Sequence, residues 1–456
     1  MPLQKNQVLT LRVERLSSDG SGVAHSPDGE TVFIPGAAPG DEARVRIVKD
    51  CKRYAFGILD EVLTPSPDRI PVDCAVAGPC GGCSLRHLDY AAELRAKQEN
   101  VADAFARIGG LDVPVLPIVG SPEVNRYRNK VQFPVGVDKS GKPCIGFYAG
   151  RTHRIVPCPD CRLQPGVLNE IGNALCAFFA EKGIQPYSEE TGKGLVRHIF
   201  LRRGAHSGQI MVCLVCTCAK LPCAEELCTR LKAQFAEITT ILLNVNAKNT
   251  NVILGTETHT LYGQGYIEDT LCGVPVQLGP LSFYQVNTLA AEQLYGIAAQ
   301  YAQLTPDDLL LDLYCGMGTI GLSMAAHCRE LIGVEIVPEA IESAKANAAR
   351  MGTDVAAKSR FFCADAGQAA TRLAAEGLHP DIVMLDPPRK GCDEATLSAV
   401  VRMAPRRVVY VSCNPATAAR DAAWLEQNGY HAEKVQPVDL FPRTRHCECV
   451  LSLSKV

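Results

Sequence analysis

The chain has 456 residues, and its 46 Lys and Arg against 49 Asp and Glu leave a formal net charge of −3. Its length allows two to four domains, and a hydrophobic content of 47% is ample for folded cores. No uninterrupted apolar run is long enough to cross a bilayer, and residues 1–16 lack the apolar block of a signal peptide, so we expect a cytoplasmic protein with no membrane partner.

Residues 1–65 are expected to form a small all-β barrel. Short runs that alternate apolar and polar residues, VLTLRVERL, TVFIPG, ARVRIV and RYAFGILDEVL, are separated by turns rich in glycine, proline and aspartate. Such spacing is typical of a barrel made of short strands. The segment TPSPDRIP that follows has the composition of a linker, so we place a domain boundary near residue 65.

Residues 66–273 open with a cysteine cluster and continue as a mixed α+β domain. The helical stretch YAAELRAKQENVADAFARIGG ends at a glycine pair. Cys74, Cys80 and Cys83 form a C-x5-C-x2-C pattern, and Cys158 and Cys161 lie downstream. In a chain with 21 cysteines and no export signal, this pattern favours metal ligation over disulfides. Zinc and an iron–sulfur cluster both accept four thiolates, and spacing alone does not separate them.

The segment from Ser121 to Arg162 is locally basic although the whole chain is slightly negative. It contains eight basic residues against three acidic ones, the basic residues being Arg126, Arg128, Lys130, Lys139, Lys142, Arg151, Arg154 and Arg162. A local basic surface can bind nucleic-acid phosphates on a nearly neutral protein. A solvated face would have the same composition, and charge alone leaves both interpretations open.

Residues 274–456 alternate strands with helices. LLLDLYCGMG, ELIGVEI, SRFFCAD, PDIVMLDPP and RRVVYVSCNP are apolar strand-like runs, and helical stretches such as PEAIESAKANAARMG separate most of them. This alternation predicts an α/β Rossmann-like domain with a doubly wound parallel sheet. Ligands bind such sheets at the carboxyl ends of the strands, so the residues that follow each run are candidates for a site.

The first of these strands runs into a glycine-rich turn and then a helix. Gly316, Gly318 and Gly321 match the G-x-G-x-x-G pattern of nucleotide-binding domains, which is a weak signal when it stands alone. A domain that binds the pyrophosphate of a dinucleotide is therefore one interpretation of this turn.

Three acidic residues at the ends of successive strands favour S-adenosylmethionine instead. Asp312 ends the strand before the glycine turn, where a carboxylate can meet a cationic cofactor and would repel a pyrophosphate. Glu335 ends the next strand, at the distance where an acidic residue binds a ribose diol. Asp365 follows the third strand, where it can approach the adenine. Loop residues without a ligand could also occupy these positions.

Two further strand ends and the C-terminal region carry residues for one methylation chemistry. LDPPRKG places Asp386 after the fourth strand, YVSCNPAT places Cys413 after the fifth, and LFPRTRHCE places Glu448 at a terminal strand. Carbon 5 of uracil is a poor nucleophile, and a thiolate that adds to carbon 6 makes it enolate-like. Methylation then needs a reactive cysteine, a base for the carbon 5 proton and hydrogen bonds to the pyrimidine edge. Cys413, Glu448 and Asp386 are candidates for these roles, although Asp386 is also placed to serve the cofactor.

These segments resemble the bacterial RNA uracil-5-methyltransferase family. The resemblance is carried by CGMGTIG, LDPPRKG, VSCNP, FPRTRHCE and SFYQVNT. It implies that Cys413 is the nucleophile, that Glu448 is the base and that Phe283 stacks on a uridine flipped out of its stack. The cofactor contacts that it implies are Gln285, Tyr314, Glu335 and Asp386. The family has a serine after the catalytic glutamate where this chain has Cys449, a small departure that leaves the base assignment standing.

The same resemblance extends to the cysteine cluster. Ribosomal-RNA members of the family carry a [4Fe–4S] cluster on a C-x5-C-x2-C pattern and one distant cysteine, which is followed by x-Leu or x-Ile. In this sequence the implied ligands are Cys74, Cys80, Cys83 and Cys161, since Leu163 stands two residues after Cys161. Zinc remains the alternative metal.

The N-terminal region resembles a TRAM domain, an OB-like barrel that binds RNA, in its GSGVA and PGDE segments. Such barrels usually combine a basic groove with stacking aromatic residues. The candidates here are Lys49, Lys52, Arg53, Tyr54 and Phe56. In this family a TRAM domain together with an iron–sulfur cluster is typical of enzymes that modify 23S ribosomal RNA, so we expect that RNA as the substrate and a monomeric enzyme. The alternative is a transfer-RNA uridine-54 methyltransferase, whose bacterial members usually lack both features.

Two other functions fit parts of the sequence. A non-catalytic RNA-binding protein with a relic methyltransferase fold would be expected to lack the pair Cys413 and Glu448. An enzyme that methylates an amino group would carry an aromatic residue where Arg389 follows Asp-Pro-Pro. Neither pattern is found, so the sequence favours uracil methylation.

Overall fold

The computed structural model describes residues 3–150 and 152–456, so Arg151 of the basic segment lies outside the described residues. Three sheet-based units follow one another along the chain, first a small barrel, then a mixed sheet and then a doubly wound sheet. None of the helices in these two ranges combines the length and the apolar character needed to cross a membrane.

The barrel consists of β1 (Val8–Leu16), β2 (Ser21–His25), β3 (Thr31–Pro35), β4 (Glu42–Asp50) and β5 (Tyr54–Thr64). It closes in the order β1–β2–β3–β5–β4, and only β3 and β5 pair in parallel. The alternating pattern turns Val13, Val32 and Ile34 into the barrel core. The sequence does not predict β2, because its five residues SGVAH form a short segment inside a glycine-rich stretch.

The second unit begins with helices and contains a seven-stranded mixed sheet. Helix α1 (Ala77–Cys80) precedes α2 (Tyr90–Asp103), and a π-helical turn (Ala104–Gly109) extends α2 to the predicted glycine pair. The elements that follow are β6 (Lys130–Val137), β7 (Pro143–Tyr148), β8 (Ile155–Pro157), α3 (Gly166–Lys182), β9 (Val196–Arg203), β10 (Ile210–Cys216), α4 (Ala224–Gln234), β11 (Ile238–Val245) and β12 (Glu257–Tyr262). The strand order is β12–β11–β10–β9–β6–β7–β8.

The third unit begins with a hairpin of β13 (Ile267–Leu271) and β14 (Val274–Leu278). Its other elements are α5 (Thr288–Ala302), β15 (Leu309–Leu313), α6 (Thr319–Met324), a 3-10 turn (Ala325–His327), β16 (Glu330–Glu335), α7 (Pro338–Arg350), α8 (Thr353–Lys358), β17 (Ser359–Cys363), α9 (Ala366–Ala375), β18 (Ile382–Leu385), α10 (Glu394–Met403), β19 (Arg407–Ser412), α11 (Pro415–Gln427), β20 (Tyr430–Val438) and β21 (Glu448–Lys455). The five apolar runs of the sequence form β15 to β19.

The sheet of the third unit has the order β17–β16–β15–β18–β19–β21–β20. Strands β15 to β19 are parallel, and β21 is antiparallel to both of its neighbours. The order changes direction at β15, which lies between β16 and β18, and ligands of doubly wound sheets bind at such a point. The predicted combination of an N-terminal barrel, a mixed central unit and a Rossmann-like sheet is therefore confirmed.

Candidate active site

Three predicted reactive side chains meet where β18, β19 and β21 lie side by side. Asp386 follows β18, Cys413 follows β19 and Glu448 is the first residue of β21. Because β21 runs antiparallel to β19 and Ser412 pairs with Cys449, the start of β21 lies next to the end of β19. The tertiary structure thus brings together residues that are 27 and 35 positions away from Cys413 in the sequence.

These three groups share one poorly hydrated cleft, and burial in this cleft raises the pKa of each of them. Burial raises the pKa of Glu448 to about 8, with a further contribution from Asp386, while Arg389 acts in the opposite direction. Burial also raises the pKa of Asp386 to about 7. The pKa of Cys413 rises to about 11 because of burial and the nearby Glu448 and Asp386. A carboxyl group that titrates near pH 8 is well suited to exchange a proton at neutral pH.

The loop that presents Cys413 is short and tied to the loop after β18. Asn414 caps α11 by accepting a hydrogen bond from the Ala416 N–H, and Pro415 begins that helix, so the strand ends at Ser412. The Asn414 side chain also donates to the Arg389 carbonyl at 2.9 Å. These contacts leave Cys413 partly exposed at the end of its strand.

The glycine turn after β15 adopts the backbone that the sequence predicts for a nucleotide site. Tyr314, Gly316 and Gly318 all have positive φ, at 66°, 55° and 79°. Gly321 lies in the first turn of α6, and its N–H donates to Asp312 Oδ2 at 3.0 Å. A Cβ on Gly321 would lie 2.8 Å from that oxygen, so a larger residue would displace Asp312.

Asp312 and Glu335 provide carboxylates at this turn. Asp312 is 1% exposed, its Oδ1 atom has no hydrogen-bond partner, and burial raises its pKa to about 8. Glu335 accepts hydrogen bonds from the N–H groups of Gly316, Ile336 and Val337 at 2.9–3.1 Å. These bonds connect the glycine turn after β15 to the loop after β16. A buried carboxylate oxygen without a partner suits a cationic ligand such as the amino group or sulfonium of S-adenosylmethionine.

The remaining predicted cofactor residues lie around the same strand ends. Tyr295 is almost fully buried and lies near Gln285, Thr319 and Asp386, which places Gln285 beside the glycine turn. The Tyr314 hydroxyl lies 3.3 Å from Thr396 Oγ1. By contrast, the carboxylate of Asp365 caps α9 by accepting from the Gln368 N–H, so part of its hydrogen-bonding capacity is used within the fold.

The segment SFYQVNT is held rigidly by the central sheet while its phenylalanine points outward. Phe283 is 74% exposed, next to the anchored Gln285. The Asn129 side chain donates to the Gln285 carbonyl at 2.8 Å, and buried Arg202 donates to the Gly279 and Ser282 carbonyls at 2.8 and 2.7 Å. Sequence reasoning did not identify Arg202, because a lone arginine in an apolar strand has no local pattern that marks its partner.

Five cysteines line one cavity of about 120 Å³ on the second unit. They are the four predicted ligands Cys74, Cys80, Cys83 and Cys161, together with Cys158. Arg86, which the sequence did not single out, is 3% exposed and lines the same cavity with Nε and Nη2 unpartnered. Within residues 3–150 and 152–456, no three His, Cys, Asp or Glu side chains are grouped as ligands of a single metal ion.

The basic segment divides into paired and unpaired cations. Arg126 is bound to Asp160 and to the Cys161 carbonyl, so its role is structural. Arg128 and Lys130 have no carboxylate within 4 Å among the described residues, and burial near Arg202 and Arg128 lowers the pKa of Lys130 to about 8. Arg128 lies near His446, which stands three residues after Arg443 in the sequence. His446 is also close to Arg389, so unpaired cations reach the rim of the cleft.

The barrel carries an aromatic cluster on its outer surface. Tyr54 and Phe56 lie beside Phe33 of β3, with ring centroids 5.6–5.9 Å apart. Tyr54 is 40% exposed, and Lys52 and Arg53 are exposed in the preceding turn. Phe33 was not predicted to belong to this surface, because it comes from a strand about twenty residues earlier.

Comparisons with known proteins agree with this architecture. Residues 226–456 match the family described as tRNA (Uracil-5-)-methyltransferase, and residues 2–59 match the TRAM domain. An RNA methyltransferase of Halalkalibacterium halodurans, whose name calls it uncharacterized, is 43% identical over 99% of this chain and 98% of its own. The chain belongs to the RNA uracil-5-methyltransferase family. A similarly named family relative from Bacillus cereus is 41% identical over 100% of this chain and 98% of its own.

A solved structure extends the family relationship to three dimensions. The Pyrococcus abyssi tRNA (uracil-54, C5)-methyltransferase, in complex with S-adenosyl-L-homocysteine, has a TM-score of 0.77 and 26% identity. The alignment covers 98% of this chain and 100% of the other. As a member of the family, this protein is an S-adenosylmethionine-dependent RNA methyltransferase with an N-terminal TRAM domain.

Proposed function

We propose that the protein methylates carbon 5 of a uridine in 23S ribosomal RNA. The observation that carries the chemistry is the meeting of Cys413, Glu448 and Asp386 in one cleft beside the glycine turn. A thiol, a carboxyl group that titrates near neutral pH and a cofactor turn are the components that uracil methylation requires.

The proposed reaction proceeds by transient covalent attachment of the RNA. Cys413 loses its proton to solvent and regains one at the end of the cycle, and its sulfur adds to carbon 6 of the flipped uracil, so that the electrons of the 5,6 double bond move to carbon 5. Carbon 5 then takes the methyl group. Glu448 removes the remaining carbon 5 proton, and the electron pair of that bond restores the double bond as the thiolate leaves. Each turnover therefore releases one proton and returns Cys413 to its starting state.

S-adenosylmethionine, when bound, would supply the methyl group from its sulfonium, whose methyl–sulfur bond breaks so that S-adenosylhomocysteine is left as the second product. Its proposed contacts are the predicted set Gln285, Tyr314, Glu335, Asp386, Asp312, Gly316, Gly318 and Asp365. The unpartnered oxygen of Asp312 and the open backbone at Gly316 support this assignment. Asp386 is placed between the cofactor turn and Cys413, so it can serve either the cofactor or the uracil edge.

Aromatic side chains and partly exposed cationic side chains are proposed to hold the RNA. Phe283 stands on an anchored loop beside the cleft, where it can stack on the uridine that has left its helix. Arg128 and Lys130 are free of carboxylate partners and can bind phosphates near the rim. The aromatic cluster around Tyr54 gives the barrel a surface on which single-stranded bases can stack.

We further propose an iron–sulfur cluster bound by Cys74, Cys80, Cys83 and Cys161. The support is a common cavity lined by these thiols and by Arg86, whose unpartnered nitrogens suit an anionic, thiolate-bound centre. When bound, such a cluster would cross-link the loop of residues 74–83 to the segment that carries Cys161. Zinc is the alternative occupant of the same thiols.

Protein purified without oxygen should be brown and contain iron and acid-labile sulfide. Cys161→Ser should lose most of the iron, whereas Cys158→Ser should retain it, because only Cys161 is assigned as the fourth ligand. Iron, zinc and sulfide assays with the visible spectrum provide the measurement. A colourless protein that contains zinc after anaerobic purification would contradict the iron–sulfur assignment. Equal iron loss in both variants would contradict the choice of Cys161.

A transfer RNA is the second candidate substrate, since the similar structure is that of a tRNA (uracil-54, C5)-methyltransferase. The TRAM domain and the cysteine-lined cavity favour ribosomal RNA, because the resemblance associates both features with enzymes that act on 23S RNA.

Labelled S-adenosylmethionine should therefore label 23S RNA transcripts and leave tRNA transcripts unlabelled. Unmodified transcripts of each RNA are incubated separately with the protein, digested to nucleosides and analysed for 5-methyluridine. Label confined to tRNA would replace the proposed substrate by the second candidate, and label on adenine would contradict the proposed chemistry.

A further inference from the structure

Residues 439–444, here called the strap, form the first part of the connection from β20 to β21, which ends at Glu448. Val438 and Glu448 pair across the two strands, so the nine residues between them form a closed connection. A connection of this length is commonly mobile unless other parts of the fold hold it. The position of Glu448 therefore depends on what binds the strap.

Side chains and backbone groups from distant parts of the chain bind the strap backbone at six points. The contacts are the Asp439 N–H to the Val119 carbonyl (2.9 Å), Asn287 Nδ2 to the Leu440 carbonyl (3.0 Å), Lys97 Nζ to the Phe441 carbonyl (3.2 Å), the Tyr127 hydroxyl to the Pro442 carbonyl (3.0 Å), the Leu85 N–H to the Arg443 carbonyl (3.1 Å) and the Arg443 N–H to Glu93 Oε1 (2.7 Å). Five of the six partners belong to residues 85–127. The strap is thus held by the second unit, although it connects two strands of the catalytic sheet.

A buried cluster of charges anchors one end of the strap. Lys97 Nζ donates to Glu93 Oε1 at 2.7 Å and to Asp439 Oδ1 at 2.8 Å, and all three side chains are at most 2% exposed. Tyr90 donates to the other oxygen of Asp439 at 2.9 Å, and Arg443 Nη1 lies 3.6 Å from Glu93 Oε2. Two cations thus balance two carboxylates. Buried ion pairs add little net stability over apolar residues, but their geometry is demanding, so a single strap position is favoured.

We propose that Glu93, Lys97, Asp439 and Tyr127 are positioning residues that align Glu448 with the carbon 5 proton of the uracil. This inference rests on the proposed role of Glu448 as the base. Only Arg445, His446 and Cys447 separate the strap from Glu448, and Cys447 is itself buried. A displacement of the strap would therefore also displace Glu448. Cys413 lies on another strand end and is not connected through the strap. Loosening the strap should therefore impair proton removal and leave the addition of Cys413 intact.

Tyr127→Phe tests this inference, because it removes one hydroxyl from the strap and leaves the buried ring in place. Tyr430→Phe is its matched control, since Tyr430 is equally buried and its hydroxyl donates to the Pro405 carbonyl at 2.9 Å, away from the strap. We expect Tyr127→Phe to lower kcat about tenfold, in line with the sensitivity of catalysis to small misplacements, while KM for the RNA changes less than twofold. A denaturation-resistant adduct of protein and methylated RNA should accumulate, and Tyr430→Phe should show neither effect. Asp439→Asn, which keeps the shape of the anchor, should behave like Tyr127→Phe.

Glu448→Gln is assayed in parallel, so that a failure of the strap inference can be distinguished from a failure of the assignment of Glu448 as the base. If Glu448→Gln accumulates adduct but Tyr127→Phe and Asp439→Asn do not, the strap inference is overturned and the base assignment stands. If Glu448→Gln turns over normally, the base assignment fails and the strap inference fails with it. Equal loss of adduct formation and turnover in Tyr127→Phe would point to general damage to the fold and would also overturn the inference.

Discussion

Cys413→Ala should abolish the formation of 5-methyluridine while binding of S-adenosylmethionine is retained. Without the sulfur at position 413, carbon 5 of the uracil stays electron-poor, and loss of a covalent nucleophile lowers turnover by roughly 10⁴-fold or more. The neighbouring thiols cannot substitute, because Cys447, just before β21, and Cys449, within it, are both buried and Cys449 is fully inaccessible. Transfer of labelled methyl groups to RNA measures turnover, and calorimetric titration measures cofactor binding.

Cys218→Ala is the control for this experiment, since Cys218 is an exposed thiol on the second unit that takes no part in the cleft. It should retain full activity. Retention of activity within tenfold of the wild type by Cys413→Ala would show that the methyl transfer does not pass through this thiol. Loss of cofactor binding by Cys413→Ala would indicate that the side chain supports the cofactor site instead.

Glu448→Gln should attack the RNA and then stall as a covalent adduct. The glutamine preserves the shape of the buried side chain but cannot accept the carbon 5 proton, so elimination of Cys413 is blocked after methyl transfer. Loss of a general base typically slows a reaction by about 10²- to 10⁴-fold, and we expect product release to fall within that range. Denaturing electrophoresis of labelled RNA, in which the adduct migrates with the protein, provides the measurement.

The double variant Cys413→Ala and Glu448→Gln gives the matched control for the adduct. It should form none, because the covalent bond requires the sulfur at position 413. An adduct that persists in the double variant would come from another nucleophile. Normal release of 5-methyluridine by the single variant Glu448→Gln would exclude Glu448 as the base and direct attention to Asp386, the other carboxyl group of the cleft.

The electrostatics of the cleft explain why Cys413 and Glu448 depend on each other. Burial raises the pKa of the thiol to about 11, with further contributions from Glu448 and Asp386, and Arg389 acts in the opposite direction. A thiol with this pKa is largely protonated at neutral pH, which is the less reactive form of a cysteine nucleophile. Arg389 is therefore placed to favour the thiolate, a role that its position after Asp-Pro-Pro did not suggest.

The catalytic sheet was predicted from the sequence because its strands are local, continuous apolar runs. Strands β15, β16, β18 and β19 are largely buried, as parallel strands usually are, whereas the edge strand β17 is only partly buried. Each is followed by the residue type that a ligand at the strand end would need. Cys413 is a clear case, since Asn414 and Pro415 end its strand and begin a helix by local rules alone. The short strand β2 was missed, because five residues that include a glycine carry too little periodicity to be distinguished from a turn.

The sequence by itself determined the kinds of residue available for catalysis, the order of the strands along the chain and the family to which they belong. Only the tertiary structure decided that Arg202 holds the loop before Phe283, that Arg86 lies among the cysteines, and that Lys97 holds the strap from 342 positions away. The physical reason is that secondary structure and strand-end motifs arise from neighbours within a few residues. A buried cation finds its acceptors only when distant segments have packed, so its partner leaves no periodic pattern in the sequence.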